Sequence, residues 1–522
     1  MSRKTRFMIA LALVAGFFGY RAWQQRAPDK HDGPRKPVVA EPAPERKLGR
    51  IAFKPCTLSP PMGAQSLEAQ CGTLSVPENP AEPKGRQIAL NIAWIPADES
   101  GNHDPDPVFL IAGGPGQSAT ESFAGLIPSF RDVRKDRDML LVDQRGTGKS
   151  NPLQCKFDDE DKASPDAVDA SAADADESPE ASRAMAIKCR DQLARKADLR
   201  FYTTTDAVRD LDAVREAIGA QKINLMGVSY GTRVAQQYAM RHPQHTRTIV
   251  LDSVAPNAIH LGNDFARNLE SALDLQFGQC AKTPGCTKAL GDPRERLNAL
   301  MVKLRAESPL VKYRDAATGE MKEERLRPAH VAGLARMYAY APLAASILPL
   351  LLNEADQGRY ENLMSLSKML GGSMSDMMAY GMQLSVVCSE DAAGLHADAS
   401  MGASLLGNSL VDLMQAQCAV WPRGEMPKDF HTPLSTDVPA LLLSGELDPV
   451  TPPSYAAQVL KTLRNGRALV LRGQGHNVIA VGCMPKLWAQ FLETADAKKL
   501  DATCLDTLAY TPPFTTFNGW EP

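Results

Sequence analysis

Residues 227–231 read Gly-Val-Ser-Tyr-Gly, a Gly-x-Ser-x-Gly pattern with Ser229 at its centre. An apolar run over 223–226 precedes the pattern and a helical pattern begins near Thr232, so the serine falls between a strand and a helix. Two glycines at this spacing permit a sharp turn that lifts the serine hydroxyl clear of the backbone beside a helix N-terminus. The spacing therefore predicts that Ser229 is a nucleophile.

A nucleophilic serine needs a base and an acid, which follow it along the chain in folds that carry this turn. His476 stands on a glycine-flanked turn after an apolar run, and no other histidine lies beyond the preceding acidic turn. That turn offers Asp448 and Glu446. We favour Asp448 because Pro449 would stiffen the turn that holds it, while Glu446 remains the alternative. The predicted triad is Ser229, Asp448 and His476.

The negative oxygen that forms during acyl transfer needs two backbone N–H donors. One is expected from Tyr230, directly after the nucleophile. The other is expected from Gly113 and Gly114, in a Gly-Gly-Pro-Gly loop that follows an earlier apolar run. Missing side chains let this backbone approach a substrate, although an ordinary structural turn is the alternative.

Three other patterns do not support a cofactor or a metal. Residues 146–150 resemble the end of a P-loop, but its first glycine position is occupied by Asp143. The glycines of 114–119 resemble a dinucleotide fingerprint, but a proline interrupts them. His242 and His245 lie at a helix end and are expected to be surface residues without carboxylate partners. No cofactor is predicted.

Short apolar runs alternate with helical patterns, which predicts an α/β fold with a mostly parallel sheet covered on both faces. One predicted helix covers 203–218, with Thr205 available as its cap. The alternation stops after Pro256 and resumes near 439, so the helical block between is expected to form an inserted cap. The predicted organisation is a core over 51–258, a helical cap over 259–430 and the rest of the core over 431–522.

The N-terminus indicates export. Basic residues at positions 3, 4 and 6 precede an apolar run over 7–20, the length of a signal-peptide core and short for a membrane span. Residues 1–26 are therefore a signal peptide or a short membrane anchor, and 27–50 a basic, proline-rich linker. An acidic stretch over 158–182 is predicted to be a flexible insertion. The net charge of −3 does not favour nucleic acid as a partner.

Ten cysteines in an exported chain favour disulfides, although sequence leaves their connectivity open. They fall in five local couples: Cys56 and Cys71, Cys155 and Cys189, Cys280 and Cys286, Cys388 and Cys418, and Cys483 and Cys504.

The glycine loop, an Asp-Gln-Arg-Gly-Thr-Gly stretch at 143–148, the serine pattern, the acidic turn at 445–452 and Gly475-His476 occur in this order. Together they resemble the exported tripeptidyl and prolyl aminopeptidases of the α/β-hydrolase superfamily, from about residue 56 to about 504. The resemblance implies removal of short units from free peptide N-termini through an acyl-enzyme, with the predicted triad matching residue by residue. One departure is Ala112, where the family often has histidine.

An exopeptidase must also bind a substrate ammonium, which calls for carboxylates in a partly desolvated pocket. Glu390 and Asp391 in the predicted cap are our candidates, and a solvated acidic turn is the alternative. The Met-rich stretch over 364–382 could line a substrate tunnel, but packing inside the cap is favoured.

The resulting hypothesis is a periplasmic or secreted serine aminopeptidase, tethered to the membrane if the N-terminal segment is retained, with short peptides as substrates. A small-ester hydrolase with the same triad is the first alternative. An inactive binding protein of the same fold is the second. The sequence leaves the oligomeric state open.

Overall fold

The computed structural model describes residues 45–520 except 61–64, 99, 157–177 and 317, and for 371–376 it describes the backbone alone. The predicted signal peptide or anchor therefore lies outside the described residues. So do most of the linker and most of the acidic insertion. Among the described residues, no helix is both long and apolar enough to cross a membrane.

The strands are β1 (Arg46–Leu48), β2 (Ile51–Leu58), β3 (Leu67–Pro77), β4 (Gln87–Ile95), β5 (Val108–Ile111), β6 (Met139–Val142), β7 (Ile223–Val228), β8 (Thr246–Asp252), β9 (Leu310–Arg314), β10 (Met321–Arg325), β11 (Ala440–Gly445) and β12 (Gly466–Leu471). In the described part of the chain, ten of them form one sheet in the order β1-β2-β3-β4-β6-β5-β7-β8-β11-β12. Six of these strands run parallel to one another, in the order β6, β5, β7, β8, β11 and β12. Strands β1 to β4 form an antiparallel extension that joins them at β6.

The α-helices of the core are α1 (Ala119–Ser122), α2 (Arg131–Arg134), α3 (Pro179–Leu193), α4 (Thr204–Ala217) and α5 (Tyr230–Arg241). Those of the inserted region are α6 (Phe265–Ala281), α7 (Pro284–Leu290), α8 (Pro293–Ala306), α9 (Pro328–Ala339), α10 (Pro342–Ala345), α11 (Leu348–Asp356), α12 (Glu361–Met377), α13 (Tyr380–Glu390) and α14 (Ser409–Cys418). The core then ends with α15 (Pro453–Leu460) and α16 (Met484–Thr494).

The central strands are buried along their whole length, as expected for a parallel sheet with helices on both faces. Consecutive residues of β11 point to opposite sides, so Leu442 joins one apolar cluster with Val214 of α4. Leu441 joins a second cluster with Trp488 of α16. A third cluster lies within the region of the predicted cap. The predicted mostly parallel sheet, covered on both faces, is therefore present.

Three sequence expectations need correction: the end of the linker, the end of the acidic insertion and the cap residue of α4. The linker prediction over 27–50 overlaps β1, which pairs with β2 and puts the Arg46 guanidinium 4.7 Å from the Trp94 ring centroid. The predicted insertion over 158–182 overlaps α3, which begins at Pro179. Ser178 caps this helix by accepting the Ala181 N–H.

Helix α4 begins at Thr204, one residue before Thr205, the cap expected from the sequence. Thr203, not Thr205, caps it, because Thr203 and Asp206 form a reciprocal capping box. The region of the predicted cap is mainly helical and also contains an antiparallel hairpin of β9 and β10. Val311 and Tyr313 of β9 turn inward, in the alternating pattern of a half-buried strand.

All five predicted cysteine couples are disulfides in the structure. The disulfide between Cys388 and Cys418 joins α13 to α14, and the disulfide between Cys155 and Cys189 ties the loop after β6 to α3. Disulfides of this number are typical of proteins that fold in an oxidising compartment.

Candidate active site

Ser229 sits on a sharp turn between β7 and α5. Its backbone has φ +57° and ψ −125°, a conformation that residues other than glycine rarely adopt. A Cβ atom at Gly227 would lie 2.3 Å from the Gly231 carbonyl oxygen, and one at Gly231 would lie 2.3 Å from the Ile111 carbonyl oxygen. Both glycines are therefore required by close backbone contacts, as the pattern predicts.

The glycine loop after β5 lies directly against this turn. A Cβ atom at Gly113 would lie 3.0 Å from the Cβ of Ser229. Gly114 and Gly116 have φ of +104° and +115°, which side chains disfavour. The residues predicted to donate to an oxyanion, Gly113, Gly114 and Tyr230, therefore lie on the two backbone segments that flank Ser229.

Asp448 and His476 come together on the loops after β11 and β12. His476 Nδ1 and Asp448 Oδ2 are 2.8 Å apart, and both side chains are buried. The carboxylate also accepts the N–H groups of Val450 and Thr451, and the Thr451 hydroxyl donates to Oδ2 at 2.8 Å. This arrangement fixes the orientation of the imidazole ring and leaves Nε2 for proton transfer.

Electrostatics favour an ionised acid and a basic imidazole. Burial opposes the charge of Asp448, but His476 and the backbone donors outweigh it and lower the pKa of this carboxyl. Burial likewise opposes protonation of His476, but the Asp448 carboxylate outweighs it and raises the pKa of the imidazole.

The alternative acid, Glu446, has a different role. Its carboxylate accepts the Gly473 N–H at 2.9 Å and the Tyr510 hydroxyl at 2.9 Å. It thereby links the acidic turn to the loop before His476 and to the C-terminal segment.

Asp252, at the end of β8, is a site residue that the sequence analysis missed. Its main-chain carbonyl accepts the Ser229 N–H at 2.9 Å, and its carboxylate accepts the N–H groups of Val478 and Ile479. Burial raises its pKa to about 6 against the effect of those donors. The signal in the sequence was an aspartate at the end of the apolar run that follows the serine pattern along the chain.

The region of the predicted cap contacts the candidate site from two sides. The Tyr340 carbonyl accepts the His476 N–H at 2.9 Å, and the two rings meet edge to face with centroids 5.0 Å apart. On the other side, the Ala379 N–H donates to the Gly116 carbonyl at 3.0 Å. Met378 lies beside Gly114, where a Cβ atom would be 3.1 Å from the methionine methyl group.

The described methionines of the Met-rich stretch lie in three environments. Met364 and Met382 are fully buried in apolar clusters, which is the favoured packing interpretation. Met378 instead is half-buried beside the glycine loop, and Met369 is exposed.

The two predicted ammonium-binding carboxylates are engaged by the protein itself. Glu390 is 2% exposed, and its two oxygens contact the N–H and the hydroxyl of Thr204 at 2.6 and 2.9 Å. Asp391 is completely buried and forms an ion pair with Arg233 at 3.0 Å. Binding of a substrate ammonium by either carboxylate stays a prediction.

The Asp-Gln-Arg-Gly stretch supports the fold around the site. Asp143 accepts hydrogen bonds from Asn91 and Ser118. Arg145 forms a buried bidentate ion pair with Asp210 of α4, with both N–O distances 2.6 Å. Gly148 has no space for a side chain, because a Cβ atom there would lie 2.2 Å from the Asp143 carboxylate.

Within the described residues, two clusters have the composition of a metal site: Asp212 with His242 and His245, and Asp391 with His260 and His431. The expectation that His242 and His245 lack a carboxylate partner is therefore wrong, because the fold supplies Asp212 from α4. However, Arg215 lies 2.6 Å from Asp212, and Arg233 pairs with Asp391. Each carboxylate is already neutralised by a guanidinium, which disfavours a cation.

Comparison with known proteins agrees with this geometry. Residues 106–300 match the family described as alpha/beta hydrolase fold, and residues 403–504 match the family described as TAP-like protein. Serine protease Hip1 of Mycobacterium tuberculosis is 27% identical over 468 residues, which cover 84% of this chain and 87% of that protein. Tripeptidyl aminopeptidase of Streptomyces coelicolor is 25% identical over 465 residues, or 83% of each chain.

A shorter match is to carboxylesterase B of Mycobacterium tuberculosis, 30% identical over 226 residues, which cover 42% of this chain and 43% of that protein. The fold predicted from the sequence is thus confirmed, as is the predicted relationship to the tripeptidyl aminopeptidases. The chain is a serine peptidase-like enzyme of the α/β-hydrolase fold, related to serine protease Hip1 and to the tripeptidyl aminopeptidases.

Proposed function

We propose that this enzyme is an exported serine exopeptidase that releases short units, tripeptides or single residues such as proline, from free peptide N-termini. The observation that carries the proposal is the buried contact between His476 and Asp448, 2.8 Å apart. Asp252 anchors the loop of His476 by accepting the Val478 N–H, and its main-chain carbonyl accepts the Ser229 N–H. The predicted cap contacts the loop that carries His476, here called the base loop, and also the glycine loop. A cap in this position would limit access to chain ends.

The proposed reaction follows from these contacts. His476 takes the proton of the Ser229 hydroxyl, and the serine oxygen attacks the peptide carbonyl while Asp448 holds the imidazolium. The N–H of Tyr230 and those of the glycine loop stabilise the negative oxygen. The proton then passes from His476 to the leaving amine, and water releases the acyl group by the same steps.

Export is supported by the basic and apolar N-terminal segment and by the five disulfides. Release of tripeptides is supported by the Streptomyces relative, which is named a tripeptidyl aminopeptidase. Recognition of the substrate ammonium by Glu390 or Asp391 is the least supported step, because Thr204 and Arg233 already occupy these carboxylates.

A small-ester hydrolase is the second candidate, favoured by the shorter match to a carboxylesterase. The two candidates share Ser229, Asp448 and His476 and differ in what the cap admits. Dependence on a free substrate amine therefore separates them.

The test uses the purified full-length enzyme with chromogenic amides of one, two and three residues, each with a free or an acetylated N-terminus, beside a short-chain ester. Ser229→Ala is the background control. Cleavage of free-amine amides and not of acetylated ones supports the exopeptidase, and the preferred length gives the unit released. Turnover of the ester alone would reject the exopeptidase and favour the second candidate.

A further inference from the structure

Glu390 ends helix α13 in the cap, yet its carboxyl group contacts the first turn of α4 in the core. One oxygen accepts the Thr204 N–H at 2.6 Å, and the other lies 2.9 Å from the Thr204 hydroxyl. Glu390 is 2% exposed and Thr204 is fully buried. A carboxyl group of the cap is therefore held at the N-terminus of a core helix, where the backbone N–H groups favour it.

Thr204 extends this contact to the residue after the nucleophile. Its hydroxyl lies 2.6 Å from the Tyr230 hydroxyl, which also accepts a hydrogen bond from Gln144 at 3.2 Å. When the Glu390 carboxyl is ionised it can only accept, so in that state Thr204 donates to Glu390 and Tyr230 donates to Thr204. The four side chains then form one directed chain of hydrogen bonds that ends on the cap.

Burial raises the pKa of the Glu390 carboxyl to about 8, although Arg233 opposes the rise. A protonated carboxyl can still donate to the Thr204 hydroxyl, so the contact is available in both protonation states. The connection to Tyr230 depends on hydrogen-bonding groups at position 390 more than on a charge there.

We propose that Glu390 is a positioning residue that holds Tyr230, and with it the predicted oxyanion donor, through Thr204. Tyr230 is 1% exposed and is the first residue of α5, so its anchored ring and its main-chain N–H belong to the same rigid turn. The proposal rests on the proposed function only in taking Ser229 as the nucleophile. It also means that seating of the cap affects the chemistry at Ser229.

The test measures kcat and KM on a free-amine amide and on an ester without an amine, together with the rate of Ser229 labelling by a fluorophosphonate. Tyr230→Phe and Thr204→Val each remove one hydroxyl, and Glu390→Leu removes the carboxyl group. Each variant should lower kcat and the labelling rate by about 10-fold. This is less than the complete loss of an oxyanion donor would cost, because the Tyr230 N–H is misplaced and not removed. KM should stay within about 2-fold on both substrates, because no substrate contact is lost.

Non-additivity is the sharper readout. If Glu390 acts through Tyr230, the Tyr230→Phe and Glu390→Leu double variant should be no slower than the slower single variant. Glu390→Gln keeps a hydrogen-bond donor and an acceptor at position 390. It should therefore retain most of the wild-type kcat, unlike Glu390→Leu. If Glu390→Leu does not fold, Glu390→Ala takes its place in the double variant with Tyr230→Phe.

Multiplying effects in the double variant would overturn the proposal, and so would unchanged kcat in Tyr230→Phe. A defect of Glu390→Leu confined to KM for free-amine substrates would also overturn it and would assign Glu390 to the substrate ammonium instead. Labelling does not require peptide turnover. A failed exopeptidase assignment would therefore leave this test intact.

Discussion

The main-chain carbonyl of Asp252 accepts the N–H of Ser229 at 2.9 Å, so the residue that anchors the loop of His476 also anchors Ser229. Its carboxylate accepts the N–H groups of Val478 and Ile479, at 2.8 and 2.9 Å, directly after the histidine. One buried aspartate thus sets the spacing between the two halves of the site.

Asp252→Ala should therefore lower both stability and activity. Two buried N–H groups would lose their acceptor, at about 1–3 kcal/mol for each group left unpaired. The base loop would also be free to move, and kcat should fall on the order of 10-fold or more. Urea unfolding and steady-state kinetics measure the two effects. Asp252→Asn keeps an acceptor oxygen, so a loss as large as that of the alanine variant would contradict this role.

The acid side of the pH–rate profile should report His476. The imidazole must be neutral to act as base, so kcat/KM should fall as the pH drops through a pKa above the usual value of about 6.5. Asp448 makes the larger favourable contribution to this raised pKa and Asp252 adds to it. Asp252→Asn removes a negative charge, so its profile should move to lower pH. A shift to higher pH, or none, would refute this electrostatic assignment.

Asp448→Asn and Glu446→Gln form a matched pair that identifies the acid. Asp448 contacts His476, whereas Glu446 contacts Gly473 and Tyr510. Asp448→Asn should lower kcat about 10³–10⁴-fold, because the imidazole loses the partner that orients it and stabilises its charge. Glu446→Gln should retain most activity. The reverse order of the two losses would show that the wrong acid has been chosen.

The ion pair of Arg145 and Asp210 should matter for stability rather than for chemistry. Both side chains are buried, and Arg145 also donates to the carbonyl oxygens of Glu78 and Phe201. Arg145→Ala leaves a buried carboxylate without its partner, which costs roughly 3–5 kcal/mol in the free energy of unfolding. Arg464→Ala, in an exposed ion pair with Asp437, is the control and should change stability little. Equal losses in the two variants would contradict the account.

Local spacing predicted much of this molecule. The glycines around Ser229 act through contacts within a few residues and with one neighbouring strand, so the pattern itself carries the turn. The parallel strands were recognisable as continuous apolar runs between helical patterns. The cysteine couples were readable because each pair is close in sequence, separated by 6 to 34 residues.

Long-range partners could not be predicted in the same way. Glu390 contacts Thr204 across 186 positions, and Arg233 reaches Asp391 across 158. A single sequence therefore left these carboxylates without partners and suggested that they were available to a substrate. Asp252 was missed for a related reason, because the two N–H groups that donate to its carboxylate lie more than 220 positions away.

The most direct test of the central claim is to label the native enzyme with a fluorophosphonate and to locate the adduct by mass spectrometry. Ser229→Ala and His476→Ala are compared with Ser271→Ala, which alters an exposed serine of α6. We predict a single adduct on Ser229, no labelling of the first variant, much slower labelling of the second and normal labelling of the third. Turnover should fall about 10⁴–10⁶-fold in Ser229→Ala. An adduct on another serine, or full turnover by Ser229→Ala, would contradict the account.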